Sequence, residues 1–98
     1  AVRSSGGALA AVTDDEIVQA MLLLARTEGI FAETAGGVTI ATLAKLADAG
    51  VVRPDEQVVA FVTGLGFKTI EAVEPHVEPT ATIAPTIEAF NQAVEVAP

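Results

Sequence analysis

Cysteine, tryptophan and tyrosine are all missing from these 98 residues, and histidine occurs once, at His76. Without cysteine there can be no disulfide framework, thiolate metal site or cysteine nucleophile. A single imidazole also removes most histidine-based metal clusters and Ser-His-Asp triads, so a complete catalytic apparatus is hard to assemble here. Positive charge is scarce: five Lys and Arg stand against thirteen Asp and Glu, a net charge of −8. That field repels phosphate backbones and anionic headgroups, so neither nucleic acid nor a membrane is an expected partner. Long apolar runs are lacking as well. The longest, residues 20–25, falls well short of the roughly 18 to 20 residues that span a bilayer, and Ala1-Val2-Arg3-Ser4-Ser5 does not read as a signal peptide. A soluble, cytoplasmic protein is the expectation. The chain opens on Ala1 and its one Met is Met21, inside an apolar run, which reads as a piece of a longer protein.

Apolar residues make up 51% of the chain and charged residues 18%. This is too apolar for a disordered tail and too sparsely charged for an ordinary free-standing domain, so part of the surface is expected to be covered. The length suits a single domain over residues 1–98, with a core in 1–74 and a strap and last helix in 75–98.

Along the chain, the apolar run at residues 7–12 reads as a strand. Thr13-Asp14-Asp15-Glu16 follows, with Thr13 and Glu16 at capping-box spacing and three acids at the positive end of a helix dipole. Ile17, Ala20, Met21 and Leu24 share one helical face, Val18, Leu22, Leu23 and Ala25 widen it, and Gly29 suits a left-handed stop. Ile30-Phe31-Ala32 reads as a second strand. Glu33-Thr34-Ala35-Gly36-Gly37 then turns into a helix with Ile40, Leu43, Ala44 and Ala47 on one stripe, ended by Gly50. Beyond a turn at Pro54-Asp55-Glu56, the uninterrupted run Val58-Val59-Ala60-Phe61-Val62 has the composition of a strand covered on both faces. The two glycines of Thr63-Gly64-Leu65-Gly66 permit a tight turn and close approach by another group. The alternation predicts an α/β fold: a small three-layer α/β/α arrangement with a short parallel sheet of about three strands and helices on its faces. From Pro75 onwards, Pro79 and Pro85 with Glu78, Thr80 and Thr82 mark an extended strap laid over the sheet. A last helix carries Ile87, Phe90 and Val94.

In an open parallel sheet ligands bind beyond the carboxyl ends of the strands, which directs attention to Thr13, to residues 33–37 and to residues 63–66. Three segments in register, Val12-Thr13-Asp14-Asp15-Glu16-Ile17, Leu24-Ala25-Arg26-Thr27-Glu28-Gly29-Ile30-Phe31-Ala32-Glu33 and Val58 to Lys68, resemble the last third of the threonine synthase family. The resemblance extends from about residue 6 to 74 and is similar to that family's T/S-D-E-E-I, L-A-R-x-E-G-x-F-x-E-P-A and V-V-x-x-x-T-G-x-G-L-K patterns. The chain departs from it at Thr34-Ala35-Gly36-Gly37.

This resemblance implies a fold-type II pyridoxal-phosphate enzyme of threonine biosynthesis, a lyase that takes a small amino-acid phosphate, O-phosphohomoserine, and water to threonine and phosphate. It implies that Thr63 meets the cofactor's pyridine nitrogen, that Gly64 lies beside it, and that Glu33 occupies an acidic position near the same end of the site. It also implies that the Schiff-base lysine and the phosphate-cradling loop lie in the earlier two-thirds of the family's chain, so that no residue here is catalytic and the 98 residues alone bind no cofactor. Plainer roles stand beside these. Thr63 can cap the short helix near Phe67, Glu33 can satisfy N–H groups at the start of its helix, Lys68 reads as a solvated or structural lysine, and His76 as a surface histidine. Asp14, Asp15 and Glu16 are accounted for by capping rather than by metal binding. The alternatives are another fold-type II enzyme such as threonine deaminase, or a stand-alone, non-catalytic α/β interaction module. Bare apolar faces predict a homodimer.

Overall fold

The computed structural model describes residues 1–79 and 81–96. Thr13 and Glu16 form the capping box that their spacing predicts. The Thr13 hydroxyl accepts the Glu16 N–H at 3.2 Å, and the Glu16 carboxylate accepts the Thr13 N–H at 2.7 Å. Two backbone donors that a helix start leaves bare are thereby satisfied. Helix α1 runs from there over Asp14–Glu28 and is closed by Gly29 in the left-handed conformation, at φ 69°. Helix α2 spans Thr34–Asp48, so Thr34, Ala35, Gly36 and Gly37 belong to its first turn instead of leading into it. The last helix, α3, covers Ile87–Val96.

The body of the protein is a pair of helices joined by a short connection, α1 packed against α2, with the first turns of the two helices close together: Gly37 meets Ile17 and Met21. Ala20, Met21 and Leu24 on α1 and Gly36, Gly37 and Ala41 on α2 are buried, with Ala32 and Val73 completing the core; Met21 meets Gly37, and Gly36 faces Ala32 and Val62. Met21 is the largest fully buried side chain. The helices come this close because Gly37 has no side chain: a Cβ there would lie 2.8 Å from the Ile17 carbonyl oxygen, 2.8 Å from Ile17 Cγ2 and 2.8 Å from Met21 Cγ.

Lys45, near the end of α2, is fastened to the start of α1. Its ammonium donates to the Ala11 carbonyl at 2.9 Å and lies 2.9 Å from Glu16 Oε1. That ammonium, followed by the Thr13 N–H, holds the Glu16 carboxyl below its ordinary value of 4.5. A carboxyl depressed in the folded state stabilises the fold above its unfolded pKa, and this contribution is lost as pH falls through the folded value. Helix content followed by circular dichroism should therefore decline on acidification below about pH 4.5, and Glu16→Gln should flatten part of that decline. The effect is small because the pair is half exposed and screened. An identical acid profile in the variant would mean that the network contributes nothing.

The predicted three-layer α/β/α arrangement with a parallel sheet is not what forms. Among the described residues there is no strand of a sheet; the sole pairing is an isolated antiparallel bridge between Ala32 and Leu65. The runs at 7–12 and 58–62 carry no regular secondary structure, and Leu9, Val59 and Phe61 are about four-fifths exposed, at 80%, 81% and 81%. Their β-branched, apolar composition is that of segments to be covered, but a strand exists only where another completes its hydrogen-bond ladder. Among the described residues these runs meet no such partner. Residues 58–61 instead pass beside Thr39, Leu43 and Leu46 of α2. The strap consequently has no sheet to lie on: Val77, Glu78, Pro79 and Ile83 are exposed, and Thr80 lies outside the described residues.

An elongated outline results. The radius of gyration is 18.1 Å, where a compact chain of this length has about 13 Å. The accessible surface of 7562 Å² exceeds that of a folded 10.0 kDa monomer by roughly 2,300 Å². No helix among the described residues is long and apolar enough to cross a membrane.

Candidate functional site

Two of the three loops singled out in the sequence are brought together, and the third is not. Thr13 is engaged as the cap of α1. The segments around Glu33 and Gly64, in contrast, are laced side by side through the Ala32–Leu65 bridge. The Glu33 N–H donates to the Gly64 carbonyl at 3.3 Å, and the Gly66 N–H donates to the Phe31 carbonyl at 2.9 Å. Phe31 and Phe67 close the side of this junction edge to face, with ring centroids 5.5 Å apart and planes at 85°, a favoured aromatic geometry.

Both glycines of the loop are used as their sequence suggests. Gly64 has φ 72°, and a Cβ on it would run into the Glu33 carboxylate; a Cβ on Gly66 would run into the Phe31 ring. The backbone thus approaches within contact of Glu33 at a point where only glycine fits. Glu33 is itself 13% exposed, and its Oε2 lies 2.6 Å from Lys68 Nζ. The carboxylate makes no capping bond to the start of α2. Thr69 takes over that task, its Oγ1 accepting the Thr34 N–H at 3.1 Å.

Thr63 precedes this clasp and is exposed. Its hydroxyl makes no hydrogen bond among the described residues, and the 3-10 turn Gly66–Ala72 has Leu65 at its N-cap with no side-chain bond, so the capping role for Thr63 is not realised. Lys68, expected as a solvated or structural lysine, is 66% exposed and pairs with Glu33. His76 is exposed, in the 3-10 turn Glu74–His76. Among the described residues no three His, Cys, Asp or Glu side chains gather as a metal site would need.

Sequence reasoning missed Thr69 and the pairing of Lys68 with Glu33. Both are contacts between residues 35 apart, with no local pattern to announce them. A larger groove of about 640 Å³ lies between the N-terminal turns of α1 and α2, walled mainly by Ile17, Val18, Ala35 and Val38, and Thr63, Gly64 and Glu33 do not line it. Its apolar walls make it bare packing surface, while Glu33, Gly64 and Lys68 meet at the junction, with Thr63 next to it in the chain. Chemically, this site offers a hydroxyl at Thr63 that makes no hydrogen bond among the described residues and a carboxylate against Gly64 already paired with an ammonium. It can bind and orient a ligand atom, and it holds no free general base and no free amine.

A family model described as pyridoxal-phosphate dependent enzyme matches residues 1–64. The threonine synthase of Methanocaldococcus jannaschii is 51% identical over 72 residues, which cover 74% of this chain and 18% of that protein. The threonine synthase of Methanosarcina acetivorans is 40% identical over 94 residues, 96% of this chain and 23% of that protein. That of Bacillus sp. is 41% identical over 68 residues, 69% of this chain and 19% of that protein. The chain spans about a fifth of the length of these relatives. With the family model matching well over half of its residues, the chain belongs to the pyridoxal-phosphate dependent enzyme family.

Proposed function

We propose that these residues work as the C-terminal part of a threonine synthase-like lyase that converts O-phosphohomoserine and water to threonine and phosphate. The observation that carries this reading is the junction itself, where Thr63 and Gly64 are laced to Glu33 within a stretch similar to threonine synthases. The residues present fit one wall of a pyridoxal-phosphate site. Thr63 offers a hydroxyl with no partner among the described residues, and the missing Cβ of Gly64 leaves the neighbouring backbone open. The cofactor, when bound, supplies an electron sink for the amino-acid carbon skeleton.

In this reading Thr63 would hold the pyridine nitrogen by a neutral hydrogen bond without adding a charge there. The missing Cβ of Gly64 would leave its backbone free to approach the cofactor, and Glu33 would hold the loop in place. The catalytic lysine belongs to the remainder of the enzyme, because both lysines of this chain are committed to ion pairs, Lys45 with Glu16 and Lys68 with Glu33. The 98 residues by themselves therefore bind no cofactor and make no threonine, and they pair with a second copy through their bare apolar faces. The enzyme is cytoplasmic.

Thr63→Ala and Thr63→Asp in the full-length enzyme test the assignment. Turnover should fall at least about tenfold, about 1.4 kcal/mol in the barrier, while unfolding by urea should change by no more than about 1 kcal/mol. Unaltered turnover in Thr63→Ala would remove Thr63 from the site.

A further inference from the structure

We propose that Lys68 is a positioning residue, acting through Glu33 to hold the Thr63-Gly64 loop in register for the cofactor. The proposal rests on the reading that Thr63 meets the cofactor, and it adds what keeps Thr63 in place. Thr63 itself is anchored by nothing beyond its neighbours, since its side chain is exposed and makes no bond among the described residues. What fixes the loop is the contact immediately after it, where Gly64 seats on the Glu33 carboxylate and accepts the Glu33 N–H at 3.3 Å.

That seat requires the carboxylate to stay withdrawn from water, at 13% exposure. A carboxylate removed from water is costly unless a charge or donors compensate it. The compensating group is Lys68, 2.6 Å away. The α2 backbone does not supply it, because Glu33 makes no capping bond and the Thr34 N–H is taken by Thr69. Without the ammonium, the carboxylate regains hydration by swinging outward, and Gly64 loses its seat. Lys68 is 66% exposed and reaches Glu33 from the 3-10 turn Gly66–Ala72. It is therefore free to be replaced without disturbing the core, and its ammonium is already paired, which separates its role from that of a lysine bonded to the cofactor.

The test uses the full-length enzyme and pyridoxal phosphate, read by cofactor affinity and by the visible absorption spectrum. Lys68→Met should raise the cofactor dissociation constant about threefold or more, the size expected of a partly screened ion pair, and shift the visible band, with circular dichroism unchanged. Lys68→Arg should restore both. The combined variant Glu33→Gln with Lys68→Met should be no worse than Glu33→Gln alone, because the two residues act as one unit. A loss in Lys68→Met that adds fully to that of Glu33→Gln would mean that Lys68 acts on the ligand directly and would overturn the positioning role. Wild-type affinity and spectrum in Lys68→Met, beside altered values in Thr63→Ala, would overturn the role of Lys68 and leave the cofactor reading standing. Wild-type behaviour in both would sink the two together.

Discussion

Replacing Gly37 by valine is expected to destabilise the helix pair by about 2–3 kcal/mol, the range of a badly overpacked core. The first added carbon would already sit 2.8 Å from the Ile17 carbonyl oxygen, 2.8 Å from Ile17 Cγ2 and 2.8 Å from Met21 Cγ. Side chains can rotate away, but a backbone carbonyl inside α1 can yield only if the whole helix moves. Such a shift opens the space around Met21 and Leu24, which form the buried centre of the chain. Valine's helix propensity exceeds that of glycine by only a few tenths of a kcal/mol, too little to offset this. For a domain of this size the loss corresponds to a fall in Tm of about 10–20 °C. Gly7→Ala is the matching control: the nearest atom is a Val2 methyl at 3.3 Å, and the change should stay within about 0.5 kcal/mol. A Gly37→Val chain that melts like the parent would mean that α1 and α2 do not approach at this point.

The second large effect is self-association of the isolated chain. Its surface exceeds that of a compact monomer by roughly 2,300 Å², and a stable interface needs only about 800 Å² from each partner. The surplus is apolar where it matters. Leu9, Val59, Phe61, Phe67 and Ile87 are each at least three-quarters exposed or nearly so, and Phe90 and Val94 continue the Ile87 stripe along α3 at helical spacing. Such patches become interfaces, and a self-complementary one closes as a two-fold dimer. The net charge of −8 opposes this only weakly once salt screens it. Sedimentation equilibrium over a wide concentration range should give a mass approaching twice the 10.0 kDa chain, and α3 can exchange between copies on its strap. A monomer throughout would mean that the exposed runs find cover within one chain.

What could be read in the sequence was local. The Thr13 and Glu16 capping box and the Gly29 stop involve residues within one or two turns of one another, so spacing alone specifies them. The need for glycine at 64 and 66 was legible too, because a two-glycine turn after an apolar run announces a close approach. The sheet was not legible, since composition at 58–62 says that Val58, Val59 and Phe61 are built for cover and says nothing about which segment provides it. Among the described residues α2 lies beside this run and covers it only in part, and a pattern suited to a covered strand appears as largely exposed coil. At the site, Thr63, Gly64 and Glu33 were named from motif resemblance. Their convergence depends on the Ala32–Leu65 bridge and on Lys68, contacts that cross more than thirty residues.

We propose that this chain supplies one wall of a pyridoxal-phosphate site while the amine that bonds the cofactor lies elsewhere in the enzyme. Borohydride reduction of the full-length protein with pyridoxal phosphate, followed by peptide mass mapping, tests it most directly. The account predicts one saturable modified lysine outside these 98 residues, and no saturable modification of the 98-residue chain alone. Modification of Lys68 or Lys45 in good yield would contradict it.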